Sequence, residues 1–158
     1  MAARIGALAG QAAVVKGSLN QRGTHSMIAV DELGDWIRLD SKAAPDAGLA
    51  FPAGLPLGDV SLAGEILDSK CWFGAMRPAD GKVHKACAAL CIRGGLPPAF
   101  IARGSNGQDA LMILTERGRA HGTGLLSLVA DPVHISGSVQ RVGDLLVLDA
   151  PLAQIRRL

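Results

Sequence analysis

All three cysteines of this 158-residue chain, and one of its four histidines, fall in residues 64–98, GEILDSKCWFGAMRPADGKVHKACAALCIRGGLPP. Their spacing is Cys71-x12-His84-x2-Cys87-x3-Cys91. Thiolate and imidazole are the ligands preferred by zinc, iron–sulfur clusters and copper. Three cysteines cannot all pair, so the odd count argues against a disulfide framework and suits a metal site or free thiols.

The run VHKACAALCI (residues 83–92) is the best helix in the chain, with Arg93 in its last turn, Gly94-Gly95 as a stop and Pro97-Pro98 forbidding continuation. At about 100° per residue, positions 84, 87 and 91 share an arc of about 60°. The helix nevertheless rises about 10 Å from 84 to 91, too far for three short side chains to meet one ion. Cys87 and Cys91 suit a common ion. His84 joins them only from ahead of the helix or from its first turn, and Cys71 completes the set from a loop. The expected metal ligands are therefore Cys71, His84, Cys87 and Cys91, a closed set of the structural zinc kind. A two-iron cluster tolerates the span better, and copper shares the ligand types.

Other accounts compete. Free cysteine is among the most buried residue types, and ACAALCI is an apolar run. A Cys87–Cys91 disulfide is within reach, although parallel side chains on one helix strain it. Asp68 and Lys70 flank Cys71 and could tune it, but a solvated strand end explains both more simply. Lys70-Cys71-Trp72 superficially resembles a cysteine-hydrolase nucleophile, yet no histidine follows far downstream in a matching context. His25, His121 and His134 stand apart from any ligand spacing and read as surface residues. No catalytic residue is assigned, and a non-enzymatic role is expected.

The elements that must position this block read as short strands. Twenty Gly and eight Pro favour turns over long helices. Residues 13–20 and 26–32 form a hairpin around Gln21-Arg22-Gly23, and residues 36–39 a short strand. Residues 133–139 and 145–148 repeat the hairpin pattern: VVKGSLNQRG and HISGSVQRVG share Gly-Ser, an apolar residue and a Gln-Arg pair. SLAGEILDSK is a third partial copy, opening the strand at 60–68. A glycine inside a strand marks the sharp coil or bulge that lets a small barrel close. Residues 99–103 and 110–115 pair across GSNGQD, and HGTGLLSLVADP suggests a short helix.

The expected fold is mainly β, a small barrel of the oligonucleotide/oligosaccharide-binding (OB) type with one inserted Cys/His-bearing helix. Strands at 14–19, 60–67, 133–139 and 145–148 are expected to share one core. Residues 1–40 form an N-terminal hairpin region, 41–59 a Pro/Gly/Ala-rich connection and 60–158 the barrel, or all belong to one domain.

The block from Gly64 to Cys71, followed by His84 to Pro98 (HKACAALCIRGGLPP), resembles a signature of an uncharacterised group of bacterial proteins. In that group the block follows membrane-anchoring helices and a hairpin like residues 14–30. The resemblance implies a bacterial origin and a membrane-associated or periplasmic setting through a segment this chain lacks, with a cytoplasmic one otherwise. It implies no activity.

Composition limits the function classes. A net charge of +2, without a long basic run, offers no footprint for nucleic acid, and five aromatic residues offer few stacking platforms. No apolar stretch is long enough to span a membrane. The leading reading is a metal-binding barrel with a structural or accessory zinc and a protein partner. An iron–sulfur or copper redox protein, a thiol/disulfide redox protein and an OB-type binding module without metal are the alternatives. The thiol reading lacks the C-x-x-C spacing of a thioredoxin-like site.

Overall fold

The computed structural model describes residues 2–8, 10–30, 34–43 and 52–158. The chain divides into two compact units, Met1–Pro52 and Ala53–Leu158.

The first unit holds a short helix, α1 (Ala2–Ala7), and four short strands: β1 (Ala13–Val15), β2 (Ser18–Arg22), β3 (His25–Ala29) and β4 (Ile37–Leu39). β1 pairs antiparallel with β4, and β2 with β3. The expected continuous strand over 13–20 breaks at Lys16-Gly17, where Gly17 lies hard against the facing chain. A Cβ there would fall 2.5 Å from the Ala29 carbonyl oxygen. The hairpin turn is Gly23-Thr24 rather than Gln21-Arg22-Gly23. Residues 31–32 of the expected second arm, and 44–51 of the expected connection, lie outside the described residues.

The second unit is a closed five-stranded barrel. Its strands are β5 (Leu55–Asp68), β6 (Pro98–Arg103), β7 (Asp109–Glu116), β9 (Pro132–Val142) and β10 (Leu145–Asp149). β5, β6 and β7 run as an antiparallel meander. β10 then pairs parallel with β7 and antiparallel with β9, and β9 pairs with β5, which closes the ring. Two small strands extend it: β8 (Arg119–Ala120) on β7 and β11 (Ile155–Arg157) on β9. The expectation of a mainly β chain with a small barrel and one inserted helix is met. That helix, α2 (Lys85–Arg93), sits between β5 and β6.

Closure depends on strands that change partners midway. β5 pairs with β9 up to Glu65 and with β6 from Gly64 onward. At that crossover a Cβ on Gly64 would run into the Ile101 carbonyl oxygen and the Phe100 ring. β9 turns from β11 to β10 around Gly137, where a Cβ would meet the Asp149 carbonyl oxygen. Glycine is thus required where the strands coil. The core inside includes Ile66, Phe100, Met112, Leu114, Val133, Ile135 and Leu148, with Ala88 and Ile92 of α2 packed in.

Four expectations change. β5 starts at Leu55 rather than residue 60, because its first half finds ladder partners on β9 despite a register shift between Pro56 and Gly58. HGTGLLSLVADP forms only a 3-10 turn, Thr123–Leu125, followed by the barrel-closing segment in which Ala130 N–H reaches the Ile66 carbonyl. The strand pattern at 14–19 belongs to the first unit, whereas 60–67, 133–139 and 145–148 share the barrel core. His121 is buried, not on the surface, with Nε2 3.1 Å from the Thr115 carbonyl oxygen.

Candidate metal centre

The site forms where β5 ends and α2 begins. Asp68, the last residue of β5, is completely buried, and its Oδ1 accepts the Cys71 N–H at 2.8 Å. A carboxylate accepting the amide three residues on is a helix N-cap. It starts the helical turn Cys71–Ala75, which presents Cys71 inward, where it is buried. Asp68 is therefore no solvated strand end, since its carboxylate is consumed in building the turn that carries Cys71.

The loop that follows is tied back to the barrel. Gly81 N–H donates to Glu65 Oε1 at 2.6 Å, and Arg103 of β6 bridges Asp80 and Asp109. A 3-10 turn, Lys82–His84, leads into α2, with His84 at the helix N-cap and buried. Helix α2 buries the stripe His84, Ala88, Ile92 and leaves Cys87 and Cys91 half-buried on its shoulder. Its end is a Schellman motif: Leu96 N–H reaches the Cys91 carbonyl, Gly95 N–H the Ile92 carbonyl, and Gly95 takes φ 99°.

Lys85 anchors the other end of the helix. Its Nζ lies 2.9 Å from Asp131 Oδ2, which Arg157 also reaches at 2.9 Å. The Lys85 hydrogen bond, more than any other influence, holds the Asp131 carboxyl below the usual carboxylate range. A depressed folded-state pKa stabilises above the unfolded value of about 3.9 and is lost as pH falls through the folded value. Asp131→Asn should therefore lower the melting temperature slightly at neutral pH. The difference from wild type should vanish in melts recorded progressively below about pH 4.

The three sulfurs converge. The Sγ atoms of Cys71, Cys87 and Cys91 all lie within 4.8 Å of one another, with Cys71 and Cys87 3.9 Å apart and all three thiols free. Asp68, Cys71 and His84 form a second such group, in which His84 Nε2 is 3.1 Å from Asp68 Oδ2. Cys71 belongs to both. The four expected ligands thus fall into two overlapping groups. His84 sits more than a turn before Cys91 along α2, as the helical rise requires.

Burial, followed by the negative field of Asp68, pushes the Cys71 thiol far above its ordinary value, and the same two causes raise Cys91. Cysteine, histidine and aspartate are the members of a nucleophilic triad, but Cys71 is buried, whereas such chemistry needs an accessible thiolate. Either group of side chains could hold a metal ion. Asp68 is the residue that sequence reasoning set aside. The signal that could have found it is an aspartate three residues before Cys71 at a strand-to-helix junction.

His25 and His134 join neither group; His134 Nε2 lies 3.2 Å from Ser61 Oγ on the adjoining strand. Among the described residues, no helix is long and apolar enough to cross a membrane. Comparison with protein-family models, with curated proteins and with solved structures found no match to this chain.

Proposed function

We propose that the barrel unit is a zinc-binding module in which Cys71, Cys87 and Cys91 supply three thiolates and His84 the fourth ligand. The observation that carries the reading is the spacing of sulfurs from two separate elements. The 3.9 Å between Cys71 and Cys87 matches the edge of about 3.8 Å that a tetrahedron with Zn–S near 2.3 Å requires. It is far from the roughly 2.05 Å of a disulfide.

His84 supports the set from the Cys71 side. Its Nε2 rests on Asp68, which leaves Nδ1 for the ion in a carboxylate–histidine–metal arrangement. Completing the shell requires His84 to draw closer to Cys87 and Cys91. Binding a dication supplies the positive charge that the buried thiols and Asp68 otherwise lack. A shell closed by four protein ligands is structural, so the module has an accessory or scaffolding role rather than a catalytic one. Resemblance of the block to the bacterial group adds a membrane-associated setting to this reading and no activity.

A second reading is thiol–disulfide exchange, favoured by the close, unbonded approach of Cys71 and Cys87. Elemental analysis and an absorption spectrum of protein purified under reducing conditions separate the possibilities. One zinc per colourless chain supports the proposal. A visible band indicates iron–sulfur or copper. Metal-free protein that loses two hydrogens on mild oxidation indicates the thiol pair.

Asp68→Asn should weaken zinc binding by about 10–100-fold, as loss of a ligand-orienting carboxylate does. Competition against a chromogenic chelator measures this, and unchanged affinity would separate Asp68 from the ion.

A further inference from the structure

Two of the three converging sulfurs come from elements that meet only in the fold. Cys71 stands on the turn Cys71–Ala75 and Cys87 on α2, 16 residues further along the chain, with their Sγ atoms 3.9 Å apart. A disulfide between them needs the sulfurs to close by about 2 Å. The thiols differ in access. Cys71 is 3% exposed, whereas Cys87 and Cys91 are half-buried on the shoulder of the helix.

We infer that the three-sulfur cluster is a redox-controlled zinc site, in which a peroxide joins Cys71 to Cys87 and the ion is released. The inference rests on the zinc reading above and adds the regulation of that site. The reaction starts on the accessible side. Zinc holds its sulfur ligands as thiolates, and Cys87 is open to an oxidant arriving from solvent. Its sulfur attacks one peroxide oxygen, the O–O bond breaks and hydroxide leaves, so that Cys87 becomes a sulfenic acid. The Cys71 sulfur then attacks the Cys87 sulfur, the S–O bond breaks and a second hydroxide leaves as the S–S bond forms. The two cysteines have lost two electrons and the peroxide has gained them.

Cys71 is the residue placed to complete the step, because its sulfur approaches from a separate element. Cys91 sits one turn along the same helix as Cys87, and a bridge between parallel side chains on one helix is strained. With two of four ligands consumed, Cys91 and His84 remain, too few to close a tetrahedral shell. The disulfide then ties the turn to α2 in place of the ion. None of the four ligands takes part in the ladders of the barrel, so the sheet survives the change. A small-molecule thiol that reaches Cys87 reverses it.

Titration of the zinc-loaded wild-type full chain with hydrogen peroxide, beside a chromogenic zinc indicator and mass spectrometry, tests this. The expected result is one zinc released for each two hydrogens lost, an unchanged far-UV spectrum, and zinc binding restored by dithiothreitol. Trypsin leaves Cys87 and Cys91 together on residues 86–93, so fragmentation within that peptide assigns the bridge, and Cys71–Cys87 is the expected linkage. Zinc that stays bound through several equivalents of peroxide overturns the switch and leaves the zinc reading standing. So does a bridge between any other pair, or zinc lost through sulfinic acids without a bridge. Reduced protein that binds no zinc overturns both.

Discussion

Cys87→Ser should abolish stoichiometric zinc and lower the melting temperature by roughly 10 °C or more. Cys87 contributes one of three converging sulfurs, and a serine hydroxyl is a poor replacement for a thiolate on zinc. If the barrel holds zinc as proposed, the site exists only in the folded state, so the lost metal free energy is lost folding free energy. A deficit of a few kcal/mol in a domain of this size corresponds to a shift of that order. If Cys87 were an ordinary half-buried side chain, the substitution would bring a modest hydroxyl-burial cost and no change in metal. His134→Ala, well outside both ligand groups, should leave metal content unchanged. Elemental analysis beside calorimetry distinguishes these results, and a Cys87→Ser protein that keeps its zinc would sink the ligand assignment.

Gly64→Ala should destabilise the barrel by about 3 kcal/mol or more, at the upper end of overpacking costs. The added methyl has no route of escape. It would meet the Ile101 carbonyl oxygen and lie 2.6 Å from Phe100 Cζ, both on β6. Phe100 is completely buried, so its ring cannot swing into solvent. Relief requires β5 to pull away from β6 at the point where it trades β9 for β6. That disturbs Asp68 at the end of the same strand and therefore the turn carrying Cys71. Gly122→Ala is the control: its backbone is extended and open space surrounds the Cβ position. It should change stability by no more than about 0.5 kcal/mol. Urea titration should show the Gly64→Ala midpoint falling with little change in slope. A midpoint near wild type would mean that the strand crossover is not tight.

Local sequence determined the elements. Alternation and turn residues specify β6, β7, β9 and β10, because each hairpin needs only neighbours in sequence. The stop of α2 at Gly94-Gly95 was legible for the same reason, since a Schellman motif is built from six consecutive residues. The repeated Gly-Ser-apolar pattern announced a repeated β-element, and the Cys/His spacing located the site on one helix face.

Tertiary structure decided the rest. That the first copy of the repeat stands in a separate unit while the second closes a barrel depends on β5, β6 and β7, which lie between the two copies in sequence. Burial of His121 and Asp68 is likewise a matter of tertiary contact, His121 meeting the Thr115 carbonyl and Asp68 meeting His84. From sequence Asp68 read as a residue that could tune Cys71 or as a solvated strand end, and only the turn it initiates makes it an N-cap. His84 shared an arc with Cys87 and Cys91 by angle, but the rise along α2 drew it to Asp68. Spacing in sequence records direction around a helix axis; which partners a side chain meets depends on where the rest of the chain is packed.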